Sequence, residues 1–175
     1  MKFYLNDRSY FQVQYDFDIT KYINGDVEIV FFNDGNKLFS YETSLKYFVE
    51  ELIVILESLL TREEVTKYSS ATDISQNYIN FLKAESDTDF LNLQWKTFID
   101  LSENGFMAFL FWEDSHFYCQ VGKVDIIKKF VNSEYSEHDY ENPVVIIKQK
   151  LEEEVLNAWL QNLKEMDKKI GSKIE

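Results

Sequence analysis

The chain has 175 residues and a mass of 20.9 kDa, long enough for one domain with a sizeable core and cramped for two. Its 45% apolar and 17% aromatic residues, with five Gly and one Pro, exclude disordered, collagen-like and low-complexity classes. A formal charge of −13 argues against a nucleic-acid backbone or an anionic membrane surface as partner, and one Cys with two His excludes an internal disulfide or a Cys-rich zinc site.

At the N-terminus, Asp7 and Arg8 interrupt the chain before an apolar signal core forms. The longest uncharged apolar run, Gly105 to Trp112, is far shorter than the roughly 20 residues of a membrane span. With a single free Cys119, the expectation is a cytoplasmic protein without membrane contact.

Residues 9–19 alternate, with Phe11, Val13, Tyr15, Phe17 and Ile19 on one side and Gln12, Gln14, Asp16 and Asp18 on the other. A period of two predicts a half-buried strand. Asn24-Gly25 marks a turn. Val27 to Phe32 and Leu38 to Tyr41 then form a hairpin around Asp34-Gly35, a pair suited to a type I′ loop. From residue 44 to 60 the period changes: Leu45, Phe48, Val49, Leu52, Ile55, Leu56 and Leu59 recur at three and four, as in a helix. Its middle, Leu52 to Leu56, is apolar all round, so this helix is expected to be the most buried. Residues 61–74 read as a loop, and residues 75–84 fit either a short helix or a strand.

A second β unit begins near Phe90, where Leu91, Leu93, Trp95, Ile99 and Leu101 alternate with polar residues. Asn104-Gly105, the strand Phe106 to Glu113, the turn Asp114-Ser115 and the strand His116 to Val121 complete a three-stranded meander that ends at Gly122. Asp125 is expected to cap a short helix through Val131, and residues 134–142 to form a hydrated loop. Asn142 and Pro143 then suit the cap and first position of a final helix, with an apolar stripe of Val144, Ile147, Leu151, Val155, Trp159, Leu163, Met166 and Ile170. The expectation is a single α+β domain over residues 1–175. It has an antiparallel sheet, made of a hairpin plus a three-stranded meander, packed with a buried central helix and a long C-terminal helix. Whether the two β units share one sheet stays open.

The residues carry no catalytic signature. Asp114, Ser115 and His116 are adjacent and so diverge, and no G-x-S-x-G elbow is present. Cys119 and His116 lie on opposite faces of a strand. With scattered glycines, no phosphate-binding loop exists. Glu137, His138, Asp139 and Glu141 match no metal-binding spacing. Carboxylate pairs such as Glu50-Glu51, Glu63-Glu64 and the run Glu152 to Glu154 read as surface features. The expectation is therefore neither enzyme, cofactor nor metal, and a carboxylate-dependent hydrolase is the less favoured alternative. Val30, Phe32, Phe98, Phe109 and Phe111 sit opposite their core-facing neighbours. Either helices cover both sheet faces or an aromatic face is free for a partner.

Acidity supplies the remaining clue. Residues 84–116 hold seven acids against Lys96 alone, and residues 134–142 add four acids and no base. If the Asp114 turn and that second stretch converge, they form one negative surface that attracts a basic partner. With the hairpin and helix of Gly25 to Leu60 and the aromatic meander of Leu91 to Val121, the chain resembles the bacterial immunity proteins of contact-dependent and polymorphic toxin systems. The resemblance implies a protein that blocks a basic partner, such as a nuclease toxin, by plugging its active surface. It implicates Glu113, Asp114, Glu137, Asp139 and Glu141 as charges and Tyr118, Tyr135 and Tyr140 as aromatic anchors. An assembly subunit that oligomerises through an aromatic sheet face or the C-terminal helix is the alternative.

Overall fold

The structure is a computed structural model that describes residues 1–16, 25–84, 93–102, 104–132 and 135–171, without the side chains of residues 84 and 128–138. The parts of the predicted elements at Phe17, Ile19, Asn24, Phe90, Leu91 and Glu103 lie outside the described residues. The fold is α+β. Strands β1 (Lys2–Tyr4), β2 (Ser9–Gln14), β3 (Asp26–Asn33) and β4 (Asn36–Ser44) form one antiparallel sheet in sequential order. Helix α1 (Leu45–Leu60), a 3₁₀ turn (Glu64–Thr66) and helix α2 (Ile74–Ala84) follow. Strands β5 (Thr97–Ile99), β6 (Phe106–Glu113), β7 (His116–Asn132) and β8 (Tyr135–Leu151) form the second antiparallel sheet, and helix α3 (Glu153–Gly171) ends the described chain. The two β units are thus separate sheets.

They share one core. The inward residues Phe3, Phe11, Ile29 and Phe31 of the first sheet meet α1, α3 and one face of the second sheet. Phe39 stacks on Phe106 with ring centres 4.6 Å apart, and Phe11 meets Phe98 edge-on at 5.1 Å. A smaller core fills the other face of the second sheet, where Ile74, Tyr78 and Ile79 of α2 cover Met107, Phe109 and Phe111. That answers the question of the opposite-face aromatics. Phe109, Phe111 and Val30 are fully buried, and Phe98 packs on the main core. Phe32 stays half-buried, stacked on Tyr10.

Local chemistry explains the elements that match expectation. Asp34 (φ 50°) and Gly35 (φ 78°) both adopt the positive φ that a type I′ loop requires. The stripe of α1 is buried as its period predicts, although Val54 on its far side is 42% exposed, so the helix is not buried all round. The ambiguous 75–84 stretch is helix α2, opened by Asp73, whose carboxylate accepts the Ser75 N–H at 2.9 Å. Strand β1 had no sequence signal, since a three-residue strand contributes a single buried side chain, Phe3.

The chain departs from expectation between residues 122 and 152. No helix starts at Asp125. β7 runs on to Asn132 and pairs with β8, so the 134–142 stretch is strand and not loop. The last helix begins at Glu153 and not at Pro143. Asn142 (φ 51°) and Pro143 sit where the β7–β8 register shifts between Lys123 and Asp125, and a bulge needs neither a β-region φ nor the missing N–H. Beyond them, Val144 to Ile147 is β-branched throughout, and such residues fit a pleated surface better than a helix. The actual helix stripe is Leu156, Trp159, Leu163, Met166 and Ile170. The stretch before β5 is helical at residues 93–94, so the strand expected from Phe90 shortens to three residues.

Gly105 is where the β5–β6 connection tolerates no side chain. Its φ is +79°, and an added Cβ would lie 2.0 Å from the Val124 carbonyl oxygen. Gly35 has a similar φ but open space around it. Gly105→Ala is therefore expected to destabilise by at least about 2 kcal/mol, and Gly35→Ala by about 1 kcal/mol. Urea unfolding midpoints of the two variants check the ranking.

Candidate functional site

The sequence-derived partner residues do not converge. Glu113 and Asp114 stand at the β6–β7 turn, whereas Asp139, Tyr140 and Glu141 pair with Ile127, Ile126 and Asp125 far along β7. The strand between His116 and Asp125 puts about 30 Å between the two groups. Several are also committed elsewhere. Glu113 accepts from Lys148 Nζ at 2.6 Å, and Asp139 pairs with Lys83 at 3.4 Å. Tyr118 stacks on Phe111 beneath the Lys148 ammonium, and Tyr140 packs on the smaller core. Asp114 and Glu141 remain exposed. Tyr135 and Glu137 lie in β8, but their side chains are outside the described set.

The candidate nucleophiles are placed for structure. Cys119 is fully buried in the main core, and burial pushes its thiol far above the usual range. His116 sits on the exposed turn and donates from Nδ1 to the Asp114 carbonyl at 2.8 Å. Among the described residues, no group of three or more His, Cys, Asp and Glu side chains could hold a metal ion. Among them too, no helix is long and apolar enough to cross a membrane.

Carboxylates do converge elsewhere, on the outward face of the first sheet. Asp16, Asp26, Glu28 and Glu42, with Gln14 and Tyr15, line a shallow cleft of about 430 Å³. Its construction follows from strand pairing. Core residues Val27, Ile29 and Phe31 turn the even positions of β3 outward, so Asp26 and Glu28 share the outer face. Register then sets Gln14 and Glu42 on either side of Glu28. The Asp34-Gly35 loop alone would align Glu28 with Tyr41. A bulge between Phe31 and Phe32 advances β4 by one residue and brings Glu42 opposite Glu28 instead.

Glu28 accepts from Lys37 Nζ at 2.7 Å, and that bond, with a further one from Ser40, holds its carboxyl below the usual range. This is the reverse of the raised pKa that a general acid needs. Among the described residues, no cation pairs with Asp16, Asp26 or Glu42. Tyr15, 39% exposed, adds an amphipathic ring at the rim. The arrangement can take a cationic group from outside. The sequence carries one usable signal for it, the acidic spacing around the hairpin, but the bulge that completes it is invisible there.

No protein-family model matches the chain, and neither a curated protein nor a solved structure matches it.

Like charges directly opposite one another weaken a sheet. Glu42→Lys is therefore expected to stabilise the fold by about 0.5 kcal/mol, read as a raised urea midpoint with an unchanged slope.

Proposed function

We propose that this chain is a non-enzymatic acidic binding protein that occludes the active surface of a basic protein partner, such as a nuclease toxin. The observation behind the reading is the cleft of Asp16, Asp26, Glu28 and Glu42 on one sheet face. Opposed carboxylates reduce sheet stability, and a basic partner would turn that cost into affinity. The net charge of −13 would speed the encounter, and the cleft would fix where the partner docks. Tyr15 would serve as the aromatic anchor, because a Tyr buries large area at low rotamer cost.

This reading keeps the partner class that the acidity suggests and moves the contact away from the Asp114 turn. The test is affinity capture from native cells at low salt, with three baits compared side by side. The native chain should retain one basic protein in stoichiometric amount and release it as salt rises. Asp16→Lys combined with Asp26→Lys and Glu42→Lys should lose it, while Asp114→Lys should keep it. Retention by the triple variant, or retention insensitive to salt, overturns the proposal.

A second reading, a homo-oligomeric assembly subunit, has one observation in its favour. β8 is an edge strand with Val144 and Val145 nearly half exposed. Bulges beside both residues twist that edge and work against continuous pairing. Light scattering decides it, since a concentration-independent monomer removes the assembly reading.

A further inference from the structure

A second cavity has the opposite electrical character. It lies between the segment after the 3₁₀ turn, helix α2 and the chain leading into β5, and measures about 460 Å³. Lys67, Tyr68, Ser69, Asn77, Asn80 and Lys96 contribute to its wall, with no carboxylate among the lining residues described.

The wall is held in place before any ligand arrives. Tyr68 donates its backbone N–H to the Trp112 carbonyl at 2.8 Å, which ties the loop to the end of β6. Its hydroxyl donates to the Thr72 carbonyl and accepts from Asn77 Nδ2 at 2.7 Å. Burial is the largest reason its phenol lies above the ordinary range, so it stays protonated as part of the wall. Asn80 Oδ1 already accepts from Gln76 at 2.9 Å, which leaves Asn80 its amide hydrogens to offer. The Ser69 hydroxyl and the two lysine ammonium groups are the other donors.

Lys96 is the unusual member. Only 3% of it is exposed, and its Nζ donates to the Val65 carbonyl at 2.7 Å. Burial pulls its ammonium down to about 8. A lysine in this position costs stability that a methionine would not, and such costs persist where the charge has a task. An oxyanion beside a desolvated ammonium offsets the cost, whereas a cation adds to it. Lys67 stands over the Trp112 ring and pairs with Glu64 only at 3.9 Å, an exposed contact of little strength that a ligand can displace.

We infer that this cavity is a binding site for a small oxyanion, a carboxylate or phosphate group carried on a compact organic body. Lys96 and Lys67 supply the charge, Asn80 and Ser69 supply neutral donors, and the Tyr68 ring and Leu93 wall the organic part. The volume falls in the range of small-ligand pockets and exceeds what a bare ion needs. The site shares no residue with the acidic cleft and would take a ligand of the opposite sign.

The experiment is a heteronuclear NMR titration of the full chain. It follows the backbone amides of Tyr68, Asn77 and Asn80 and the side chain of Lys96. The titrants are phenyl phosphate, benzoate, inorganic phosphate and phenyltrimethylammonium. The expected result is saturable shifts confined to these residues with phenyl phosphate or benzoate, at a Kd below about 1 mM. Inorganic phosphate should bind more weakly, and the cation should do nothing. Saturation by inorganic phosphate as tight as by phenyl phosphate removes the organic body from the proposal. Lys96→Met and Lys67→Met should each weaken binding about tenfold, while Lys46→Met on α1 should leave it unchanged. If Lys96→Met fails to fold, Lys67→Met decides. Absence of saturation by any anion at roughly 20 mM, or equal binding by the lysine variants and the native chain, overturns the assignment.

Discussion

Everything in the fold is organised around β6, the one strand that is buried on both faces. From Phe106 to Phe111 every side chain is enclosed, alternately in the main core and in the smaller core under α2. Full burial of a side chain such as Leu or Phe is worth about 1.5–3 kcal/mol, so this short strand holds a large share of the apolar stabilisation. It also dictates where the rest can go. The Phe106, Ala108 and Leu110 face meets α1, α3 and the first sheet, and the Met107, Phe109 and Phe111 face must be covered by α2.

That second covering brings polar chemistry into the interior. Gly122 lets α2 approach, because an added Cβ there would lie 2.4 Å from the Ser75 hydroxyl. Fully buried Gln120 donates to both Asp73 oxygens at 3.0 Å and to Ser75 Oγ at 2.9 Å, pinning the start of α2 to β7. Its own Oε1 is buried without a partner among the described residues, a cost of about 1–3 kcal/mol. A helix held by so specific a network keeps a fixed height above the sheet. The cavity beside Lys96 exists because α2 and the Tyr68 loop are each tied separately to the same sheet.

The sequence is legible where structure is decided locally. The Asp34-Gly35 loop, the stripe of α1 and the Asp114-Ser115 turn need only their own residues, and each is present. It is illegible where a distant pairing arbitrates. Val144, Ile147 and Leu151 satisfy helical spacing, yet the same residues are β-branched or apolar enough for a strand, and β7 settles the choice by offering an edge. Asn142-Pro143 reads equally as a helix opening or a bulge, and only the partner strand distinguishes them. The site follows the same rule. The acidic runs are plain in the sequence. That Asp114 and Glu141 stand at opposite ends of a long ribbon, and that a bulge sets Glu42 beside Glu28, depends on register. Lys96 reads as a lone base among acids, with nothing local to foretell its burial.

Net charge alone cannot account for what the two pockets would bind. At physiological salt, exposed charges separated by more than about 8 Å are largely screened, so a bound group responds to its immediate neighbours. On the first sheet, strand pairing forces Asp26, Glu28 and Glu42 together, and the unfavourable term is repulsion between anions. Beside the second sheet, packing encloses Lys96, and the unfavourable term is the lost hydration of a cation. Both terms are built into the unliganded fold, and each is relieved by a ligand of opposite sign. Because the pockets share no lining residue, relief of one leaves the other in place, and the two occupancies should add without coupling. An acidic protein can thus hold an anion and a basic partner at once, provided local geometry, and not the overall balance, sets the field at each.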